Sequence, residues 1–274
     1  MAWRFLDYRS YNIFENMAID EAIFHETIRN KREPTIRFYG SDPAAVSIGF
    51  FQDAKKDLNI GQCRRDGIDI VRRITGGRAV FHFNEITYSV TAGDQEEAFP
   101  GDISGTYNVI SKCLIRGLGA MGIKASLAEE DGKRKTTGIS ACCFSTPTKN
   151  EILVDGRKIC GSAQVKRRGG FLQHGLLFCD FNPDRTAALL LSSCAPDRVE
   201  KLKRSVTAIN HELAQPMNVR EVCSGLRKGF RDELNVDLEE GTLTPAEERL
   251  KKELVKKYTD VDWNIERQKY FKAV

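Results

Sequence analysis

The chain has 274 residues, 42 Lys+Arg against 38 Asp+Glu, and a formal net charge of +4; that length supplies one large domain, or a domain with a small appendage, able to fold without disulfides or structural metals. A hydrophobic share of 41% with 29% charged residues describes a soluble globular protein, and the longest near-apolar run, 187–191, falls far short of the ~18 residues a membrane helix needs. The small positive surplus does not point to nucleic acid, and an N-terminus that is charged by Arg4 is neither a secretory signal nor a transit peptide, so a cytoplasmic protein is expected.

From the N-terminus, Asn16 to Asn30 reads as a helix with Ala18, Ile19, Ala22 and Ile23 on one face. Short β-rich runs follow at Thr35–Tyr39, Ala45–Phe50, Ile68–Arg73 and Ile86–Val90, separated by Gly, Pro and Asp. Tyr107, Ile110, Leu114, Leu118 and Met121 then recur at helical spacing. Glu151-Ile-Leu-Val, Asp155-Gly156 and Arg157-Lys-Ile-Cys form a β-hairpin, because Asp-Gly supplies the two φ > 0 residues of a type I′ turn. A second hairpin turns at Arg168-Gly169-Gly170 and runs into Phe171-Leu-Gln-His-Gly-Leu-Leu-Phe. Beyond that the chain turns helical. Val219, Val222, Cys223, Leu226, Phe230 and Leu234 share an amphipathic face, and Thr244-Pro245-Ala246-Glu247 is a capping box with proline at the first helical position. Irregular alternation with prominent hairpins predicts an α+β fold, a mixed β-sheet flanked by helices. The change of character divides it into residues 1–216 and a small helical C-terminal subdomain, 217–274.

Three segments carry candidate chemistry. In Arg72-Arg73-Ile74-Thr75-Gly76-Gly77-Arg78-Ala79-Val80-Phe81-His82, paired glycines after a strand let backbone approach a ligand, and three arginines favour an anionic group. A solvated turn with charged flanks is the competing reading, and the segment is neither a Walker loop nor a Gly-x-Gly-x-x-Gly motif. Cys142-Cys143-Phe144-Ser145-Thr146-Pro147 is loop-like, where a thiolate can serve as nucleophile. The eight cysteines contain no Cys-x-x-Cys pair, so neither a metal site nor a disulfide framework is expected, and most read as buried thiols. In the third segment Lys158 lies just past a tight turn, and the small residues Gly161, Ser162 and Ala163 mid-strand indicate close packing by a ligand or by another backbone. His174 is either a base or a hydrogen-bonded core residue. Lys166-Arg167-Arg168 reads as a solvated turn, with a docking patch for an acidic partner as the alternative.

Five segments in this order, Asn16-Met-Ala-Ile-Asp-Glu-Ala, Val46-Ser-Ile-Gly-Phe-Phe-Gln, the Arg72–His82 run, Glu151-Ile-Leu-Val-Asp-Gly-Arg-Lys-Ile-Cys-Gly-Ser-Ala-Gln and Leu172-Gln-His-Gly, resemble the lipoate-protein ligase A family, most nearly its LipM-type octanoyltransferases. The resemblance runs from about Trp3 to Trp263-Asn264 and implies the biotin/lipoyl protein ligase catalytic fold. It matches Lys158 to the lysine that holds the acyl carbonyl or acyl-adenylate, and Cys143 to the transferase nucleophile. It assigns Arg72, Arg73, Thr75, Gly76, Gly77, Arg78 and His82, with Gly161, Ser162, Ala163 and His174, to the substrate pocket. The implied reaction moves an octanoyl (or lipoyl) group from acyl carrier protein through a Cys143 thioester to a lysine of a lipoyl domain, such as those of glycine cleavage H protein or of a 2-oxoacid dehydrogenase E2. It needs no metal or nucleotide. The rival, a lipoate ligase acting through lipoyl-AMP, uses ATP and Mg²⁺; a non-catalytic lipoate binder ranks last. The chain departs from the branch pattern with Asn150-Glu151 in place of Tyr-Glu, with Phe83-Asn84 after His82 where an aspartate is common, and with a doubled cysteine.

Overall fold

The computed structural model describes residues 2–128, 151–190 and 196–266. In chain order its elements are β1 (Ala2–Tyr11), α1 (Ile13–Asn30), β2 (Thr35–Ser41), β3 (Ala45–Ile48), α2 (Ala54–Asp57), α3 (Ile60–Arg65), β4 (Asp69–Arg72), β5 (Val80–His82), β6 (Glu85–Gly93), α4 (Ile103–Ala120), β7 (Ser126–Leu127), β8 (Ile152–Val154), β9 (Arg157–Arg167), β10 (Gly170–Phe178), α5 (Pro183–Leu190), α6 (Pro196–Ser205), α7 (Val219–Leu234), β11 (Asp237–Glu240) and α8 (Pro245–Tyr258). Eight strands form one mixed sheet in the order β11-β1-β2-β6-β10-β9-β8-β7, and three form a small sheet, β4-β3-β5. The expected α+β architecture is present.

Local chemistry accounts for most of these elements. Asn12 caps α1 through Glu15 N, and Asn218 and Thr244 form complete capping boxes with Glu221 and Glu247 at the starts of α7 and α8. The β8–β9 hairpin turns on Asp155 at φ 48° and Gly156 at φ 77°, the left-handed pair a type I′ turn requires. The β9–β10 turn pairs Arg167 with Gly170, so it is the two-residue Arg168-Gly169, and Gly170 already belongs to β10. Local pattern alone predicts no strand at 2–11. Charged Arg4, Asp7 and Arg9 interrupt its apolar pattern, yet β1 is held between β2 and β11, both parallel to it.

One face of the main sheet presents Phe5, Phe38, Tyr88, Val90 and Phe171 to Leu114 and Leu118 of α4 and to Val222, Leu226 and Phe230 of α7. Helices α4 and α7 cross through glycine: a Cβ on Gly229 would lie 2.4 Å from both the Cys113 carbonyl oxygen and Gly117 N, so neither backbone could stay where it is. The other face carries α1 and the small sheet. Residues after 216 are not helical throughout. They include β11, an edge strand of the main sheet, while α7 lies on α4 and α8 along α1. Among the described residues no helix is long and apolar enough to cross a membrane.

The joint between α1 and α8 is polar. Buried Glu21 accepts hydrogen bonds from Lys257 Nζ at 2.9 and 2.7 Å and from Tyr258 Oη at 2.6 Å, and contacts His25 Nε2 at 3.3 Å. Burial alone would raise its carboxyl pKa, but the His25 bond, the Lys257 charge and the Tyr258 bond outweigh it and hold Glu21 at about 2. A carboxyl with a lowered folded-state pKa stabilises the fold above its unfolded value of ~4.3, and that contribution is lost as pH falls towards about 2. The contribution is of order 3 kcal/mol. Thermal unfolding is therefore expected to lose stability between about pH 4.5 and 2, and Glu21→Gln to flatten that part of the curve; an unchanged slope in the variant would assign the acid loss elsewhere.

Candidate active site

A cleft lies between the main sheet and the small sheet. Its floor follows from strand register. Tyr39 of β2 is level with Thr87 of β6, Thr87 with Leu176 of β10, and Leu176 with Gly161 of β9, and all four line the cleft. One row along, two residues away on each strand, lie Arg37, Ser89, His174 and Ala163, of which His174 and Ala163 also line it. Facing the floor are Ser47 of β3, Val80 and His82 of β5, and Arg73, Gly77 and Arg78 of the loop between β4 and β5, with Met17 of α1 closing one side. The exposed lining is mostly apolar, and Gly161, which has no side chain, lies beside Leu176 in it. Such a space fits an aliphatic chain.

The loop wall is set by close backbone approach. A Cβ on Gly49, just after β3, would stand 2.0 Å from the Gly77 carbonyl oxygen, and Gly77 itself adopts φ +87°. The paired glycines thus serve a left-handed turn and a backbone contact. Gly49→Ala should push the 76–78 loop into the cleft. We expect a loss of about 2 kcal/mol or more in stability, read as a lower melting temperature; a wild-type melting temperature would mean the contact is soft.

Two carboxylate–imidazole–hydroxyl chains meet at Arg73. In the first, Asp20 of α1 contacts His174 Nδ1 at 3.1 Å and His174 Nε2 contacts Thr75 Oγ1 at 2.8 Å, while Arg73 Nε donates to Thr75 Oγ1 at 3.4 Å. In the second, Glu85 contacts His82 Nδ1 at 3.2 Å, His82 Nε2 contacts Ser47 Oγ at 2.7 Å, and Arg73 Nη1 donates to Ser47 Oγ at 2.8 Å. The tautomers are assigned from these contacts: a carboxylate oxygen only accepts, so each imidazole carries its proton on Nδ1 and each hydroxyl donates to Nε2. Arg73 Nη2 also donates to the Gly76 and Arg78 carbonyls at 2.9 and 3.1 Å. Asp20 further accepts from Arg37 at 2.8 Å, Tyr39 Oη at 2.7 Å and Ser89 Oγ at 3.0 Å. Burial works to raise its pKa, but the Arg37 charge and the His174 and Tyr39 bonds hold it below the usual carboxylate value. Burial lowers the His174 pKa against the pull of Asp20, so this imidazole is neutral at neutral pH.

The residues expected to bind substrate divide accordingly. Arg73, Gly77, Arg78, His82, Gly161, Ser162, Ala163 and His174 border the cleft. Thr75 lies behind it, bonded to His174. Gly76 sits in the loop with its carbonyl turned to Arg73. Arg72 is directed away from the cleft. Fully buried, it donates to the Gly49, Phe50 and Gln52 carbonyls at 2.7–3.1 Å and to the Trp263 and Asn264 carbonyls at 3.0 Å, fastening the one-turn segment Asp262–Glu266 to the back of the loop. Its backbone placement explains this: it ends β4, and alternation puts its side chain opposite that of Arg73. Lys158 is buried at the start of β9 and forms an ion pair with Glu151; it does not border the cleft. Cys143 and Cys142 lie outside the described residues.

Asp20, Ser47 and Glu85 were not anticipated as site residues. A signal existed for Asp20: it stands four residues after Asn16 on a helix whose residues 16–24 are all buried, and both of these polar side chains bond Arg37. Among the described residues no group of three or more His, Cys, Asp or Glu side chains is placed to hold a metal ion. Among the described residues Cys63, Cys113, Cys160, Cys179 and Cys223 are buried thiols, and burial pushes Cys63 up to about 11 and Cys179 and Cys223 up to about 12.

Comparison with known proteins matches residues 12–231 to the lipoyl protein ligase A/B catalytic domain. The chain is 37% identical to octanoyltransferase LipM of Brevibacillus brevis, covering 97% of this chain and 99% of that one, and 38% identical to octanoyltransferase LipM of Kyrpidia tusciae, covering 96% and 98%. Among solved structures it is similar to lipoate-protein ligase A bound with ATP, with a TM-score of 0.80, 28% identity and 96% and 98% coverage. It is also similar to a bipartite archaeal lipoate protein ligase studied with its E2 lipoyl domain, from Thermoplasma acidophilum, at a TM-score of 0.80, 25% identity and 96% coverage of both chains.

Proposed function

The chain belongs to the lipoyl protein ligase A/B catalytic-domain family, and from that premise we propose that it is an acyltransferase of protein lipoylation, moving an octanoyl group from acyl carrier protein to the lysine of a lipoyl domain. The observation that carries this reading is a cleft with a mostly apolar lining on the sheet face, Gly161 and Leu176 among it, in a chain similar along nearly its whole length to octanoyltransferases. A lipoyl-domain protein as acceptor is supported by the similarity to the archaeal ligase studied with its E2 lipoyl domain; the carrier-protein donor is our own proposal, since a carrier thioester delivers an activated octanoyl group without nucleotide.

The reaction runs in two exchanges. The Cys143 thiolate attacks the octanoyl thioester carbonyl, the bond to the carrier's sulfur breaks, and the carrier leaves as a thiol, taking a proton. The acceptor lysine then attacks the acyl-enzyme as a free amine, an amide forms, its proton passes to solvent, and Cys143 is released as thiolate. A thioester already carries an activated acyl group, so neither exchange needs nucleotide. Buried thiols pushed up to about 11–12 are poor nucleophiles, which directs attention to the doubled cysteine before Phe144. We assign stabilisation of the developing oxyanion to Lys158, whose ammonium is held by Glu151 at the start of β9, the strand that also carries Gly161 and Ala163. We assign residues 1–216 as the catalytic unit and 217–274 as a smaller C-terminal subdomain.

The ligase reading is favoured by one observation, the similarity to lipoate-protein ligase A bound with ATP, and would use ATP and Mg²⁺ at the same cleft. Intact-protein mass separates the two. Mixed with octanoyl-acyl carrier protein and no ATP, the enzyme should gain one octanoyl group and lose it on addition of an apo lipoyl domain. No adduct, with the acceptor modified only when lipoate, ATP and Mg²⁺ are present, would overturn the transferase reading in favour of the ligase.

A further inference from the structure

Arg73 borders the cleft, yet its guanidinium is committed to protein: two hydroxyls, Thr75 and Ser47, and two carbonyls, Gly76 and Arg78. The two hydroxyls are reached from opposite sides, one from the main sheet through His174 and one from the small sheet through His82. We propose that Asp20 and Glu85 are positioning residues that act through these histidines to hold Arg73, and with it the Gly76–Arg78 loop that forms the wall of the acyl cleft; the catalytic relevance of that wall rests on the function proposed above.

The argument is one of proton direction. A hydroxyl has one hydrogen. If it goes to a histidine Nε2, the oxygen lone pairs remain for an arginine N–H; if Nε2 instead carries the proton, the hydroxyl must accept from both neighbours and its hydrogen is left without this partner. The carboxylate at Nδ1 decides between these states, because it can only accept and so keeps the proton on Nδ1. Each carboxylate thereby sets the polarity of a chain three bonds long that ends on the same guanidinium. All the side chains involved are buried, at 0–5% exposure, where an incorrectly directed hydrogen bond is costly. Two anchors on one cation also make the loop depend on both sheets at once. Held from a single side, the guanidinium could rotate about its remaining bonds.

Asp20 makes too many other contacts to test directly, so the variants remove the hydroxyls. Thr75→Val and Ser47→Ala each delete one link and leave the carboxylate–histidine pairs intact. The primary readout is hydrogen–deuterium exchange of the 74–79 backbone amides, with β6 amides as internal reference. We expect exchange in this loop to rise about threefold in each single variant and more than tenfold in the double, beyond the product of the two, with β6 unchanged and Thr75→Ser restoring wild-type protection. Unchanged loop protection in the double variant would overturn the proposal whatever the protein's activity. Strictly multiplicative effects would overturn the convergence on one guanidinium. Octanoyl-adduct formation is measured alongside, with the apparent KM for the acyl donor expected to rise about tenfold in the double variant while the maximal rate changes less. A loosened loop with unaltered acyl loading would leave the tie standing and remove the cleft from the proposed function.

Discussion

Cys143→Ala is expected to abolish acyl-enzyme formation, lowering octanoyl transfer from the carrier protein by ~10³-fold or more, whereas Cys142→Ala should keep most of it. A thioester intermediate needs one sulfur, and without it the acceptor amine must attack the carrier's thioester directly, with no enzyme group to receive the acyl chain. Of two adjacent residues only one can present its side chain to a given point, since successive Cα–Cβ bonds diverge. Cys143, directly before Phe144, is the position to which the family resemblance assigns the nucleophile in our proposal. Cys142 therefore serves as the control for oxidation and local packing, because its variant shares both. Intact mass of each variant after mixing with octanoyl-acyl carrier protein reads the adduct itself, and steady-state transfer to an apo lipoyl domain reads turnover. Equal activity of the two variants would refute the assignment, and loss confined to Cys142→Ala would transfer it to the neighbouring residue.

Lys158→Met should lower transfer ~10²–10³-fold, the usual effect of removing one oxyanion donor. It also removes the ammonium from Glu151, and breaking a buried ion pair from one side costs ~3–5 kcal/mol, so lost activity alone would not distinguish chemistry from folding. Lys158→Arg separates them. A guanidinium keeps a cation beside Glu151 and should recover much of the melting temperature, but its planar fork cannot place a point charge where a lysine ammonium reaches, and the rate should remain low. A variant pair in which rate and stability rise together would make Lys158 a structural residue. Near-normal turnover in Lys158→Met would place the oxyanion site elsewhere. The chemistry at this position is the same under the ligase reading, so the Lys158 result tests the site rather than the branch.

How much of this was legible beforehand depends on the range of the forces involved. The Asp155-Gly156 hairpin, the α7 span Val219–Leu234 and the capped start of α8 at Pro245 stand where the sequence places them. In each, the determinant lies within a few residues: a left-handed pair that few residues tolerate, an apolar face repeating every three to four positions, a hydroxyl three residues from a backbone N–H. The paired glycines and the small residues of β9 were likewise readable as places of close approach, because a missing side chain is a property of the sequence itself. So was the family, since five motifs in order are a linear pattern.

What surrounds those motifs was decided only by the tertiary structure. β1 carries charge at Arg4, Asp7 and Arg9, and Arg4 becomes tolerable in a sheet because Glu247, 243 residues away, pairs with it. β11 is a strand because β1 offers an edge. Arg72 and Arg73 are adjacent and chemically identical, yet one fastens residues 263 and 264 behind the loop and the other ties the loop from within. Alternation separates them onto opposite faces, but which face holds the cleft depends on how β4 pairs with β3 and how the small sheet stacks on the large one. His174 meets Thr75 across 99 residues and Asp20 across 154. Local periodicity sets what each segment can be, whereas the cleft is made of contacts between segments, and those follow from strand order and register, which no short stretch of the chain contains.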